Sequence, residues 1–239
     1  MAGHSKWANI KHRKGRADAI KGKAFSRVTK EIITAVKQGG SDPKSNPRLR
    51  VALLKAKEVN LPAENIERNI KKASSQEQAD YFELTYELYG HGGVGIIADC
   101  MTDNKNRLAS DMRIATNKRG GVVAAPGSVS YNFERKGILQ VPKGSKSEED
   151  LFLISTEAGA EDFEAVEDFF IVTTAPTDLM AVKEALEAQG IKVNSAEMEY
   201  VPKTLVECNE EDQKANLDLI EWLESLDDVD AVFHNLKLT

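Results

Sequence analysis

The chain has 239 residues, 41% hydrophobic and 29% charged, the composition of an ordinary soluble globular protein with room for two or three domains. It has no run of about 18 apolar residues to span a bilayer and no apolar stretch of a secretory signal, so a cytoplasmic protein without a membrane partner is expected. The formal net charge of −6 is unevenly placed. Residues 1–78 carry eighteen Lys and Arg against seven Asp and Glu, a balance of +11, and the remainder carries −17.

Along the chain, Phe25, Val28, Ile32 and Val36 share one helical face before Gly39-Gly40 stops the helix. After Pro47, Leu49, Ala52, Leu53, Ala56 and Val59 make a second apolar stripe, and Pro62 opens a third helix with Ala63, Ile66, Ile70 and Ala73. Three short amphipathic helices bury their stripes only against each other, which predicts a three-helix bundle within residues 1–78.

The period then changes to two. Phe82, Leu84, Tyr86 and Leu88 alternate with polar neighbours, Gly90-His91-Gly92-Gly93 turns the chain, and Val94, Ile96, Ala98 and Cys100 form the second strand of a hairpin. Asp103 or Asn104 caps a helix running to Lys118, and a strand is expected around Val129, Tyr131 and Phe133. From 136 to 201 the order is strand, helix from Ser147, two strands, helix from Thr177 and strand, the ferredoxin-like β-α-β-β-α-β arrangement. The tail adds a helix with Leu217, Ile220 and Leu223, then a strand at 229–237. The expected architecture is therefore α+β: a three-helix bundle followed by two ferredoxin-like domains. One domain, 134–203, is inserted in the other, which is built from 79–133 plus 204–239.

Chemical motifs are few. Gly90 to Gly95 matches G-x-G-x-x-G, but it opens a strand where a dinucleotide site needs a helix N-terminus to receive the pyrophosphate. The glycines serve a tight hairpin first, with His91, Gly92 and Gly93 kept as candidate contacts to a phosphate or partner. His4, His12, His91 and His234 are scattered, Cys100 and Cys208 read as reduced thiols, and Asp227, Asp228 and Asp230 read as a solvated turn. No enzyme, metal or cofactor is expected.

The basic arm carries more signal. Lys6, Trp7, Lys11, His12, Arg13, Lys14, Arg16, Lys21 and Lys23 face one acid, Asp18, and interleave cations with rings able to stack on unpaired bases. Arg27 and Lys30 extend this candidate nucleic-acid surface onto the first helix. The acidic α+β domains are expected to repel a polyanion and to be left for a protein partner.

The opening Met1-Ala2-Gly3-His4-Ser5-Lys6-Trp7-Ala8-Asn9-Ile10-Lys11-His12-Arg13-Lys14 closely resembles the start of the YebC/PmpR family, which includes the mitochondrial translational activator of cytochrome oxidase. Leu61-Pro62 through Arg68, Ile70-Lys71-Lys72, Tyr86-Glu87, Gly90 to Val94 and Pro126-Gly127-Ser128-Val129 extend the resemblance along the chain. The resemblance implies three domains, one inserted in another. It also implies a regulator of gene expression, either a DNA-binding transcriptional regulator or a ribosome-associated factor that binds ribosomal RNA and relieves stalled translation.

Overall fold

The structure is a computed structural model that describes residues 21–75, 80–144, 146–166 and 169–238, and of Lys21 the backbone only. Three helices come first: α1 (Lys21–Gly39), α2 (Pro47–Glu58) and α3 (Ala63–Ser74). Their apolar stripes meet in one cluster around Val28, Ile32, Leu49, Ala52, Ala56 and Ala73. Asn46 fixes the α1–α2 corner. Its Oδ1 accepts from the Leu49 N–H as the α2 cap, while its Nδ2 donates to Ala35 O (2.7 Å) and Gly40 O (2.8 Å). Such a cap contributes about 1 kcal/mol.

Two four-stranded antiparallel sheets follow, giving an α+β fold. The first contains β1 (Phe82–Tyr89), β2 (Gly95–Thr102), β3 (Val122–Val123) and β8 (Val229–His234), in the order β3-β1-β2-β8. Helices α4 (Lys105–Arg119) and α7 (Glu210–Ser225) cover one of its faces. There Leu88, Ile96 and Ala98 meet Leu108, Met112, Leu219 and Leu223. The second sheet contains β4 (Phe133–Pro142), β5 (Ala160–Ala165), β6 (Phe169–Thr174) and β7 (Ser195–Pro202), in the order β5-β6-β4-β7. Its core includes residues of α5 (Glu148–Glu157) and α6 (Leu179–Ala188). All of the second sheet lies in sequence between β3 and β8 of the first.

The predicted caps form: Asn104 Oδ1 accepts from the N–H groups of Asn106 and Arg107, and Ser147 Oγ from Asp150. The strand expected around 129–133 does not form. Val129 and Phe133 are 1% and 5% exposed but Tyr131 between them is 71% exposed, so the three share no face. Ser130–Asn132 is a single 3-10 turn, and the edge strand is the two-residue β3 just before it. The reason is a competing acceptor, Glu87, described below.

Candidate nucleic-acid interface

Of the residues expected to hold nucleic acid, Lys6, Trp7, Lys11, His12, Arg13, Lys14 and Arg16 lie outside the described residues, as does the Lys21 side chain. The three that follow on α1 turn toward the sheet domains. Lys23 Nζ donates to Glu224 O at the end of α7. Lys30 Nζ donates to Met101 O (3.0 Å) and Asp227 O (2.7 Å) and lies 3.6 Å from Asp228 Oδ1. Arg27 pairs with Glu31 at 3.4 Å. Burial disfavours the charge of Arg27, but the field of Glu197, Glu31, Asp230 and Asp99 outweighs it and raises the pKa of the guanidinium. A phosphate-facing role for Lys23, Arg27 and Lys30 therefore does not fit this arrangement. Their charge is met by the acids and carbonyls of the same chain.

Other bundle cations are also engaged. Lys55 pairs with Glu31 at 2.8 Å, Lys37 with Asp80, and Arg48 with Glu83. Arg50 donates to the carbonyls of Pro43 and Lys44. Lys44, Lys57, Lys71 and Lys72 are exposed and have no acidic partner among the described residues.

The glycine hairpin is locked from within. The His91 N–H donates to Asn216 Oδ1 (2.8 Å), Asn216 Nδ2 returns a bond to His91 O (3.0 Å), and His91 Nε2 lies 2.9 Å from Arg119 O. A Cβ on Gly120 would lie 2.5 Å from the His91 ring, and one on Gly92, at φ +64°, would lie 2.8 Å from Cys208 Sγ. Gly90, at which a Cβ would meet Asn216 Oδ1, and Gly92 thus let the hairpin pack closely on α7 and the segment before it, while Gly120 at the end of α4 makes room for the His91 ring. His91 is held by the fold, while Gly92 and Gly93 are exposed.

Sequence reasoning missed Glu87. Its carboxylate accepts from the backbone N–H groups of Gly127 (2.7 Å), Val129 (2.6 Å) and Ser130 (2.8 Å), and Tyr89 Oη donates to Ser128 O. Burial alone would raise the Glu87 pKa, but the three backbone bonds outweigh it and hold the carboxyl below its usual value. The signal available in the sequence was an acid on a strand beside Tyr86, with Pro126-Gly127-Ser128 some forty residues on. The two family-like segments form one clamp.

Among the described residues, no group of three or more His, Cys, Asp or Glu side chains is placed to hold a metal ion, and no helix is long and apolar enough to cross a membrane. Both cysteines are free thiols, and burial pushes both pKa values up, so neither is set up as a thiolate nucleophile.

Three helices with exposed cations, followed by two four-stranded sheets of which the second lies in sequence within the first, define the class of protein. Two family models match: the TACO1/YebC protein N-terminal domain over residues 5–76, and the TACO1/YebC second and third domain over residues 81–236. The chain belongs to the TACO1/YebC family. A protein of Protochlamydia amoebophila named "Probable transcriptional regulatory protein" is 66% identical over 238 residues, covering 100% of this chain and 97% of that one. One of the same name from Chlamydia muridarum is 62% identical, covering 99% and 100%. The crystal structure of a conserved hypothetical protein from Aquifex aeolicus has a TM-score of 0.86 at 43% identity, covering 98% of this chain and 97% of that one.

Proposed function

We propose that this chain is a non-enzymatic, cytoplasmic regulator of gene expression that binds nucleic acid, and specifically a DNA-binding transcriptional regulator. The observation that carries the reading is the division of charge within the N-terminal third. The sheet domains engage the cations of α1, while Lys44, Lys57, Lys71 and Lys72 stay exposed. These four are placed to meet phosphates, and the sequence offers further cations in residues 6–16, outside the described residues. The names of the chlamydial relatives support a role in regulation. The acidic α+β domains remain available to a protein partner.

The test is the salt dependence of binding. Reversing Lys11, Arg13 and Lys14 to Glu weakens binding and flattens the slope of log K against log salt. An unchanged slope removes the arm from the interface.

A second reading, a ribosome-associated translation factor that binds ribosomal RNA, is favoured by the bundle's outer surface. The exposed face of α3 mixes Glu64 and Glu67 with Arg68 and Lys71, and α1 is docked, so neither helix offers an acid-free face to a DNA groove. Crosslinking followed by sequencing of the bound nucleic acid separates the readings. Promoter DNA without ribosomal RNA supports the first; ribosomal RNA with ribosome co-sedimentation supports the second.

A further inference from the structure

We propose that the face of the second sheet turned away from α5 and α6 is a docking surface for the chain's own basic N-terminal segment, residues 1–20. The inference does not depend on the nucleic-acid reading above.

The strand register builds the surface. Leu139, Val141 and Val172 face α5 and α6, where they join Leu151, Val182 and Leu186. Their neighbours along each strand point the other way. In one row across the sheet, Asp162 on β5 pairs with Thr173 on β6, Thr173 with Ile138 on β4, and Ile138 with Glu197 on β7. In the rows on either side, Glu164 pairs with Ile171 and Lys136 with Glu199. The outer strands thus carry carboxylates, and the inner strands a largely apolar floor in which Ile138 and Ile171 cluster with Val201. Three strand spacings put the two acidic rims about 14 Å apart.

Charge chooses the occupant. Lys136, on the floor, is met by Glu161 at 2.8 Å and Glu134 at 3.4 Å. Asp162, Glu164, Glu197 and Glu199 leave the face negative, so it repels a polyanion and attracts a polycation. Residues 1–20 offer Lys6, Lys11, Arg13, Lys14 and Arg16 against Asp18, with Trp7 and Ile10 as apolar side chains for the floor.

The floor also holds an unmade bond. Thr173 is 5% exposed, and its Oγ1 has no hydrogen-bond partner among the described residues. Thr173 lines a cavity of about 630 Å³ together with Glu134, Lys136, Asp162, Val201 and Lys203. A hydroxyl both donates and accepts, so either backbone group of an extended peptide can complete it.

The start of α1 makes the chain's own segment the occupant. Arg27 lies only six residues beyond Lys21, about 9 Å along the helix, and Glu197 on β7 leads the acids whose field acts on it. Residues 1–20 therefore leave α1 near the acidic rim. Extended, they reach up to about 66 Å, several times the width of the sheet. Tethering gives them an effective concentration of the order of millimolar, which a free basic peptide lacks.

The experiment uses the full chain at low salt without nucleic acid. A zero-length carbodiimide joins lysines to the carboxylates they touch, and mass spectrometry of mixed isotope-labelled and unlabelled chains separates links within a chain from links between chains. Links within one chain from Lys6, Lys11 or Lys14 to Asp162, Glu164, Glu197 or Glu199 are expected. Glu164→Gln/Glu197→Gln should speed tryptic cleavage at residues 6–16 about fivefold, because cleavage follows the population of undocked segment. Glu184→Gln/Glu187→Gln, the same change of charge on exposed positions of α6, should leave the wild-type rate. The inference falls if the links avoid those four carboxylates, if they form only between chains, or if the two double variants are cleaved at one rate. The links need no variant, so they decide even where a substitution unfolds the chain. No step involves nucleic acid, so failure here leaves the proposed function standing, and failure to bind nucleic acid leaves the docking standing.

Discussion

Lys30 of the helical bundle and Asp228 just before β8 lie 3.6 Å apart, almost two hundred residues from each other in sequence. Asp228 is the centre of a network. Its Oδ2 accepts from Thr102 Oγ1 (2.8 Å) and from Arg107 Nε (3.1 Å) and Nη2 (2.7 Å), with only 8% of its side chain exposed. Asp228→Ala leaves Lys30, Arg107 and Thr102 without this acceptor and is expected to destabilise the protein by about 3 kcal/mol, seen as a lower urea midpoint. Lys30→Met removes the ammonium shared by Met101 O, Asp227 O and Asp228 but leaves Asp228 its bonds to Thr102 and Arg107, and costs about 2 kcal/mol. Equal costs would mean that Asp228 is not the hub.

The same junction titrates. Asp230 on β8 faces Arg27, Lys30 and Lys23 with Glu31 beside them; burial pushes its carboxyl up from 3.8 to about 6, more than the three cations lower it. A carboxyl raised in the fold binds its proton more tightly there than when unfolded. Its contribution to stability is therefore fully present below about pH 4 and is lost as pH rises to about 6. Asp230→Asn keeps the shape without the charge. It should gain about 2 kcal/mol over wild type above pH 6 and no advantage at pH 3.5. Denaturation across this range checks the crossover.

Glu87 has the opposite sign. Its lowered pKa adds stability above the ordinary glutamate range, and that stability disappears as pH falls through the folded-state value. Glu87→Ala strands the N–H groups of Gly127, Val129 and Ser130 and should cost about 3 kcal/mol. Hydrogen exchange should accelerate first at those three amides while the bundle stays protected. Uniform acceleration across the chain would show instead that the clamp is part of the global core.

How far the sequence was readable follows from these contacts. The helices and the Phe82–Tyr89 strand were legible because periodicity is local, and Asn104 and Ser147 were legible because caps act within three residues. The segment 129–133 misled because alternation looks the same whether or not a strand partner exists. Its amides are taken by an acid forty residues earlier, which no local pattern reports. The positive third was visible as charge, but not the destination of Lys23, Arg27 and Lys30, since pairing with Glu224, Asp227 and Asp228 depends on the tail folding back.

Glycine positions separate two kinds of constraint. Gly40 has φ +83° with nothing near a Cβ, so Gly40→Ala meets backbone strain alone and should cost about 1 kcal/mol. Gly120 has φ +70° and a Cβ would sit 2.5 Å from the His91 ring, so Gly120→Ala should cost about 3 kcal/mol and disturb the His91 environment. Thermal melts rank the two, and the His91 ring proton shifts should move only in the second.

The two groups of bundle cations differ most clearly when stability and binding are measured together. Lys30 is bound by Met101 O, Asp227 O and Asp228, so Lys30→Gln should lower the unfolding midpoint and leave the salt slope of nucleic-acid binding unchanged. Lys71 and Lys72 are exposed at the end of α3, where they also complement the helix dipole, so Lys71→Gln/Lys72→Gln should change stability by less than about 1 kcal/mol. The same double variant should reduce the magnitude of the slope of log K against log salt by up to about 2, one for each phosphate that is no longer neutralised. If Lys30→Gln alone flattens the slope, the α1 face opens to nucleic acid on binding, and the docked arrangement of bundle and sheet is a resting state that the polyanion displaces.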